Sequence, residues 1–180
     1  MYEVEVKVRT DHEAVREALA ARGATRIGAV EQTDVYYDAP HRDFAETDEA
    51  LRIRREDDGE TSEAALTYKG PLLEEASKTR EEIETALVEP DAVDEILDAL
   101  GFAPAATVQK SRERWRLEGF VVSLDAVEDL GQFVEVETAV ETEDEVASAR
   151  DGARDLLRSL DLSPGSQIRT SYLGLLLASS

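Results

Sequence analysis

Long charged side chains stand at every second position in several stretches of this chain, and their types suit the two parts of a metal-bound polyanion. Glu3, Glu5, Lys7 and Arg9 alternate with Val4, Val6 and Val8; Arg52 and Arg54 alternate with Leu51 and Ile53; Thr67 and Lys69 alternate with Leu66 and Tyr68. Arg80, Glu82 and Glu84 share a face, as do Lys110, Arg112, Arg114 and Arg116, and Glu135 and Glu137 alternate with Val134 and Val136. Clustered guanidinium and ammonium groups match phosphate oxygens in charge and donor geometry. Glutamates two residues apart project side by side, and two such pairs offer hard oxygen ligands to Mg²⁺ or Mn²⁺. Both groups in one place suit a substrate that is anionic and metal-bound, as nucleoside triphosphates are.

On any single strand the same pattern is also that of a solvated face laced with cross-strand ion pairs. The set of strands argues otherwise. The chain of 180 residues has only 20 lysines and arginines against 41 acidic residues, and about half of the basic ones fall on strand faces. An acidic surface would place carboxylates there. A wide barrel resolves the conflict: apolar faces turn outward against helices, and charged faces line a polar lumen.

Period-two alternation over 2–9 predicts a strand. A T-x-x-E capping box at Thr10 and Glu13 predicts the helix start that follows, with Val15 and Leu19 on its apolar face and Gly23 at its end. Strands are expected near 33–37, 50–56 and 63–69, the last after a tight turn at Asp58-Gly59. A second strand–helix unit follows about eighty residues on: the Arg80–Glu84 strand, then a helix with Pro90 in its first turn and Gly101 at its close. Strands near 106–117, 119–127 and 132–140 come next, and Thr142 and Glu145 form a capping box for a third helix. Tyr172 to Leu177 is expected to pack on the barrel or on a partner chain. The expected fold is therefore α+β, a closed or nearly closed eight-stranded antiparallel barrel with helices outside. It forms one domain over 1–180, with two similar halves at about 1–70 and 79–162.

The formal charge of −21 fits a protein kept soluble in concentrated salt by a carboxylate-rich surface, and it disfavours binding to nucleic-acid phosphates. Absence of cysteine excludes thiolate and redox chemistry, and the lack of a long apolar run argues against a membrane span, so a cytoplasmic location is expected. His12 and His41 are expected at the surface. Neither GxxxxGK[ST] nor GxGxxG occurs, so a helix-terminus phosphate cradle is not expected.

In order along the chain stand E-x-E-x-K (Glu3, Glu5, Lys7), YYD (Tyr36 to Asp38), LRIR (Leu51 to Arg54) and LTYKGP (Leu66 to Pro71). TREEIE (Thr79 to Glu84), KSRERW (Lys110 to Trp115) and LDAVEDLGQFVEVE (Leu124 to Glu137) follow. This series resembles the CYTH, or triphosphate tunnel metalloenzyme, family. HRDFAETDEALRIR (His41 to Arg54) and the closing SYLGLLL (Ser171 to Leu177) look most like its class IV adenylyl cyclases and their archaeal relatives. The resemblance implies that Glu3, Glu5, Glu135 and Glu137, with Asp125, bind divalent metal. It implies that Lys7, Arg52, Arg54, Lys69, Arg80 and Arg112 hold the triphosphate, helped by Lys110, and that Glu3, Glu5, Lys7, Glu135 and Glu137 carry the catalysis. It further implies Mg²⁺ or Mn²⁺ as cofactor, ATP as substrate and a homodimer. Hydrolysis of tripolyphosphate, thiamine triphosphate or a nucleotide stays open beside cyclisation, as does a non-catalytic polyphosphate- or nucleotide-binding module.

Overall fold

The protein is described from a computed structural model covering residues 1–179. In chain order its elements are β1 (Tyr2–Arg9), α1 (His12–Ala21), β2 (Thr25–Asp38), α2 (Phe44–Thr47), β3 (Ala50–Asp57), β4 (Ser62–Leu72), β5 (Lys78–Ala86), α3 (Pro90–Ala99), β6 (Ala103–Leu117), β7 (Phe120–Val127), β8 (Gly131–Val140), α4 (Val146–Ser159) and α5 (Tyr172–Ser179). The eight strands close into one antiparallel barrel in the order β1-β5-β4-β3-β2-β6-β7-β8. No described helix is long and apolar enough to cross a membrane.

The alternation in the sequence sorts the two faces of the wall. Val6, Val8, Leu117, Val122, Leu124, Val134 and Val136 point outward and form one core with Val15 and Leu19 of α1, Leu156 and Leu157 of α4, and Leu160 just past its end. Tyr37 and Ile53 pack under Leu97 of α3. Tyr172 of α5 packs with Val108, Val127 and Phe133 near one end of the barrel. The charged residues between these positions face the lumen. Apolar helix stripes cover the outside, so burying the strands' hydrophobic faces requires the polar faces to turn inward.

The expected Thr142–Glu145 capping box closes a 3₁₀ turn, Glu143–Glu145, that leads directly into α4, and α3 starts on Pro90. Gly23 and Gly101 follow α1 and α3 at φ values of 73° and 91°, the left-handed turn that ends a helix and that a side chain would strain.

Some local expectations are corrected. Asp11, and not Thr10, caps α1, its carboxylate accepting from the Glu13 amide at 2.9 Å. Thr10 instead donates its amide to the Gln132 carbonyl at 3.2 Å and so still belongs to the sheet. His12 is buried, its Nε2 lying 2.9 Å from the Phe133 carbonyl, because the first turn of α1 lies against the β8 end of the wall. β2 begins at Thr25, well before the expected 33–37, and pairs with β6 along its length. Its first residues, including Ile27, are largely exposed and Gly28 interrupts them, so the apolar alternation that marks a strand is missing there. The short helix α2 was not expected. It is set by Asp43, whose side chain accepts from the Ala45 and Glu46 amides.

Candidate functional site

Strand pairing brings the charged positions together. Glu3 and Glu5 stand on β1, and Glu5 lies opposite Glu137 on β8. The three carboxylates can each bring one oxygen within 4.8 Å of the others. Glu135, one inward position along, lies opposite Lys7 and forms an ion pair with Arg112. Asp125 lies opposite Arg112 on β7. It takes a two-pronged contact from the Arg112 guanidinium, Nε to Oδ1 and Nη2 to Oδ2, each at 2.6 Å, and a hydrogen bond from the Tyr172 hydroxyl at 2.7 Å. Of the five residues expected as metal ligands, three therefore cluster, while Glu135 and Asp125 hold an arginine.

Six of the seven expected phosphate-binding residues, Arg52, Arg54, Lys69, Arg80, Lys110 and Arg112, line the lumen, and Lys7 is buried behind its lining. Arg54 is held by Asp34 through two bonds of 2.6 Å, with Arg52 and Lys110 at 3.6 and 3.5 Å from the same carboxylate. Lys69 pairs with Glu3 and with Glu82, the latter at 3.0 Å. Arg80 donates to the Asp48 and Gly70 carbonyls, each at 2.7 Å. Lys7 is fully buried with no hydrogen-bond acceptor on its Nζ, which sits 4.1 Å from the centre of the Tyr172 ring; Lys110 faces the same ring at 5.0 Å.

Sequence reading missed Lys78, Asp34 and Tyr172 as site residues. Lys78 pairs with Glu5 at 2.9 Å inside the lumen, and its signal was available: it lies two residues before Arg80 on the same alternation. Asp34 sits beside Gln32 and Tyr36 on the inward face of β2, but an isolated acid among polar neighbours carries no distinctive spacing. Tyr172 was visible only as part of an apolar stretch.

The electrostatics are divided. Burial pushes the Glu137 carboxyl up to about 7, and although Arg112 opposes this, the neighbouring charges of Glu3, Glu135 and Glu5 add to it. Burial likewise pushes Lys110 down to about 7, reinforced by Arg54 and Arg112, and pushes Lys7 down to about 8, reinforced by Lys78. Burial would also raise Glu3, but Lys69 and Lys78 overcome it and hold that carboxyl well below its usual range. Negative charge is thus least compensated at Glu137, because Glu3 pairs with Lys69 and Glu5 with Lys78, and positive charge is least compensated at Lys7 and Lys110. Hard oxygen donors around uncompensated negative charge fit a divalent cation, and buried cations short of acceptors fit an anion. A polyanion carrying its own metal answers both.

Comparison with known proteins gives the same direction. The CYTH domain profile matches residues 1–172. A Methanocaldococcus jannaschii protein named "putative adenylate cyclase" is 39% identical over 176 residues, covering 97% of this chain and 98% of the other. The solved structure of a Pyrococcus horikoshii protein superposes with a TM-score of 0.92 at 41% identity, covering 99% of both chains. A Hippeastrum protein described as a putative adenylyl cyclase with a dominant triphosphatase activity shares the fold at a TM-score of 0.67 and 18% identity, over 99% of this chain and 96% of that one.

Proposed function

The chain belongs to the CYTH domain family, and from that premise we propose that it is a metal-dependent enzyme acting on a triphosphate compound, an adenylate cyclase that converts ATP to cyclic AMP and pyrophosphate. The observation that carries this reading is the lumen itself. Arg52, Arg54 and Arg112 line it beside Glu3 and Glu137, so phosphate-binding forks and metal-binding carboxylates share one space.

Glu3, Glu5 and Glu137 would hold the cation. A bound divalent cation neutralises charge between the carboxylates and the phosphate oxygens. Arg52, Arg54, Lys69, Lys78, Lys110 and Arg112 hold the phosphates from several sides, and their partners keep them aimed before substrate arrives. Asp34 and the Asp125–Glu135 pair fix three of the guanidiniums, so little reorganisation is needed as charge moves along the phosphate chain in the reaction. Tyr36, Phe44, Leu173 and Leu177 line the same cavity and offer apolar surface to a nucleoside. In the cyclase reaction the ribose 3′-oxygen displaces pyrophosphate at the α-phosphorus.

A second reading, hydrolysis of the terminal phosphate, is favoured by the lumen's continuation past the arginines to a second opening, through which water reaches the end of the chain. The fold carries a triphosphatase in the Hippeastrum protein and so does not choose between the two nucleophiles. Incubating ATP and tripolyphosphate with the protein and Mg²⁺ or Mn²⁺ in molar KCl, then resolving the products, tests both. Cyclic AMP with pyrophosphate supports the cyclase, and orthophosphate without cyclic AMP supports the hydrolase. Tripolyphosphate bound but unchanged under every metal tried would leave a binding module and sink the enzyme reading.

A further inference from the structure

The two ends of the lumen differ in chemistry. Glu3, Arg52, Arg54, Arg112 and Glu137 line both parts of the cavity and so form its shared middle. Beyond them, on the side of α2 and α5, four carboxylates are matched by four cations, Lys69, Lys78, Arg80 and Lys110, beside the apolar surface of Tyr36 and Phe44. On the other side the lining holds four carboxylates, Glu56, Glu63, Glu82 and Glu84, and one guanidinium, Arg114; Glu82 also pairs with Lys69 at 3.0 Å, which leaves Glu63 and Glu84 to carry most of the excess charge. The guanidinium is already engaged: Arg114 donates twice to Glu56, at 2.6 and 3.2 Å. Thr67 donates to Glu84 at 2.8 Å and fixes its carboxylate. Ala64, Ala65 and Ala86 complete this opening, small side chains that leave room between the charged ones, so its barrier to a phosphate is chiefly one of charge.

A second observation marks where an anion should halt. Arg52 is 8% exposed, lines the shared middle, and leaves its Nε without a hydrogen-bond partner. Arg54, two residues further along the same face, is the last inward cation on β3 before Glu56. An incoming phosphate gains contacts from Arg52, Arg54 and Arg112, and beyond them meets the carboxylates together with an Arg114 already held by Glu56.

We propose that Glu56, Glu63, Glu82 and Glu84 form an electrostatic stop that admits no phosphate, so that a nucleoside triphosphate enters by the α2–α5 mouth and its terminal phosphate halts at Arg52, Arg54 and Arg112. The proposal rests on reading the lumen as a triphosphate site and adds a determinant of phosphate number. With the nucleoside seated against Tyr36 and Phe44, a fourth phosphate has two places to go. It intrudes among the glutamates, or it pushes the nucleoside out of the apolar mouth. Either loses affinity, by like-charge contact in the first case and by lost burial in the second.

The test compares ATP with adenosine 5′-tetraphosphate by titration calorimetry in molar KCl, with divalent cations chelated so that no turnover intervenes. Tripolyphosphate serves as the reference ligand. The wild-type protein should bind ATP about tenfold or more tightly than the tetraphosphate. In Glu63→Gln/Glu84→Gln, which keeps side-chain size, the ratio should fall to within about twofold because the tetraphosphate gains affinity. The outward-facing pair Glu17→Gln/Glu81→Gln, with the same change in net charge, should leave the ratio as in wild type. An equal ratio in the wild-type protein and the lumen variant, or a wild-type preference for the tetraphosphate, overturns the stop while tripolyphosphate binding keeps the triphosphate reading. Binding of tripolyphosphate without ATP also overturns it, since no nucleoside then occupies the apolar mouth. Failure of tripolyphosphate itself to bind wild-type protein defeats the triphosphate reading beneath it.

Discussion

Arg54 and Arg55 are neighbours in sequence, and the barrel wall separates them. Arg54 points into the lumen, its side chain 12% exposed and clamped by a buried Asp34. Arg55 points outward, 36% exposed, against an Asp91 that is almost fully in water. The outer pair is an ordinary surface contact, screened by salt and worth about 0–1 kcal/mol. The inner pair is part of a connected set in which each charge has lost its water, and it holds a guanidinium in place for a ligand at a cost in folding free energy. The same contrast runs around the barrel: the outer face under α1 and α4 holds the fold together, and the inner face is built for binding. Mutations should divide along that line.

The largest expected effect lies on the outer face and spares binding. Leu157 is fully buried between α4 and the wall. Leu157→Ala should lower unfolding free energy by about 2–5 kcal/mol, measured by denaturant titration, while the folded fraction binds tripolyphosphate as before. A comparable loss of affinity per folded molecule would show that the two faces are not separable.

Next comes the carboxylate cluster, where the expected signs are reversed. Glu137→Gln keeps size and removes a charge that burial and three neighbouring glutamates already disfavour. Metal-dependent turnover should fall at least about a hundredfold, with thermal stability unchanged or raised. Wild-type turnover at limiting Mg²⁺ or Mn²⁺ would remove Glu137 from the metal site.

The sharpest form of the comparison is the arginine pair. Arg54→Ala should weaken tripolyphosphate binding by roughly ten- to a hundredfold, the worth of one charge-assisted contact, and Arg55→Ala should change it less than about twofold. Arg54→Lys should fall between wild type and Arg54→Ala, because an ammonium cannot contact two phosphate oxygens as a planar fork does. Titration of both alanine variants in high salt decides it. Equal affinities would reduce the alternating cations to a solvated face.

Much of this was legible from period-two spacing, because a strand that buries one face against helices must show it as alternation. That is why the alternation alone puts Glu3, Glu5, Arg52, Arg54, Arg112 and Glu137 on faces that share one lumen. What spacing cannot carry is register between strands. Glu135 and Glu137 look equivalent along β8, yet one meets Arg112 and the other meets Glu3 and Glu5. Asp125 reads as an acid near other acids until β7 sets it opposite Arg112. The first part of β2 and the short helix α2 were missed for a simpler reason. Neither buries enough apolar surface to leave a periodic trace.

The smallest expected effect is a fraction of a proton, and it tests whether the inner face is short of anions. Burial, Arg54 and Arg112 push Lys110 down to about 7 from the ordinary lysine value of 10.5, with Asp34 and Asp125 only partly opposing them. Between these limits the unfolded chain binds a proton that the folded protein does not, so this residue's contribution to stability improves as pH rises from about 7 and is least favourable below it. A bound triphosphate supplies the missing negative charge and draws the pKa back up. Binding at pH 8 should therefore take up protons, and binding at pH 6, where Lys110 is already charged, should take up fewer. Calorimetric titration of tripolyphosphate in buffers of different ionisation heat, with divalent cations chelated, reads the uptake directly. Lys110→Met removes the titrating group while leaving an unbranched chain against the Tyr172 ring, and its uptake at pH 8 should be smaller than that of the wild-type protein. Full uptake in that variant would assign the proton elsewhere, and no uptake in the wild-type protein would mean that the lumen balances its own charge before any ligand arrives.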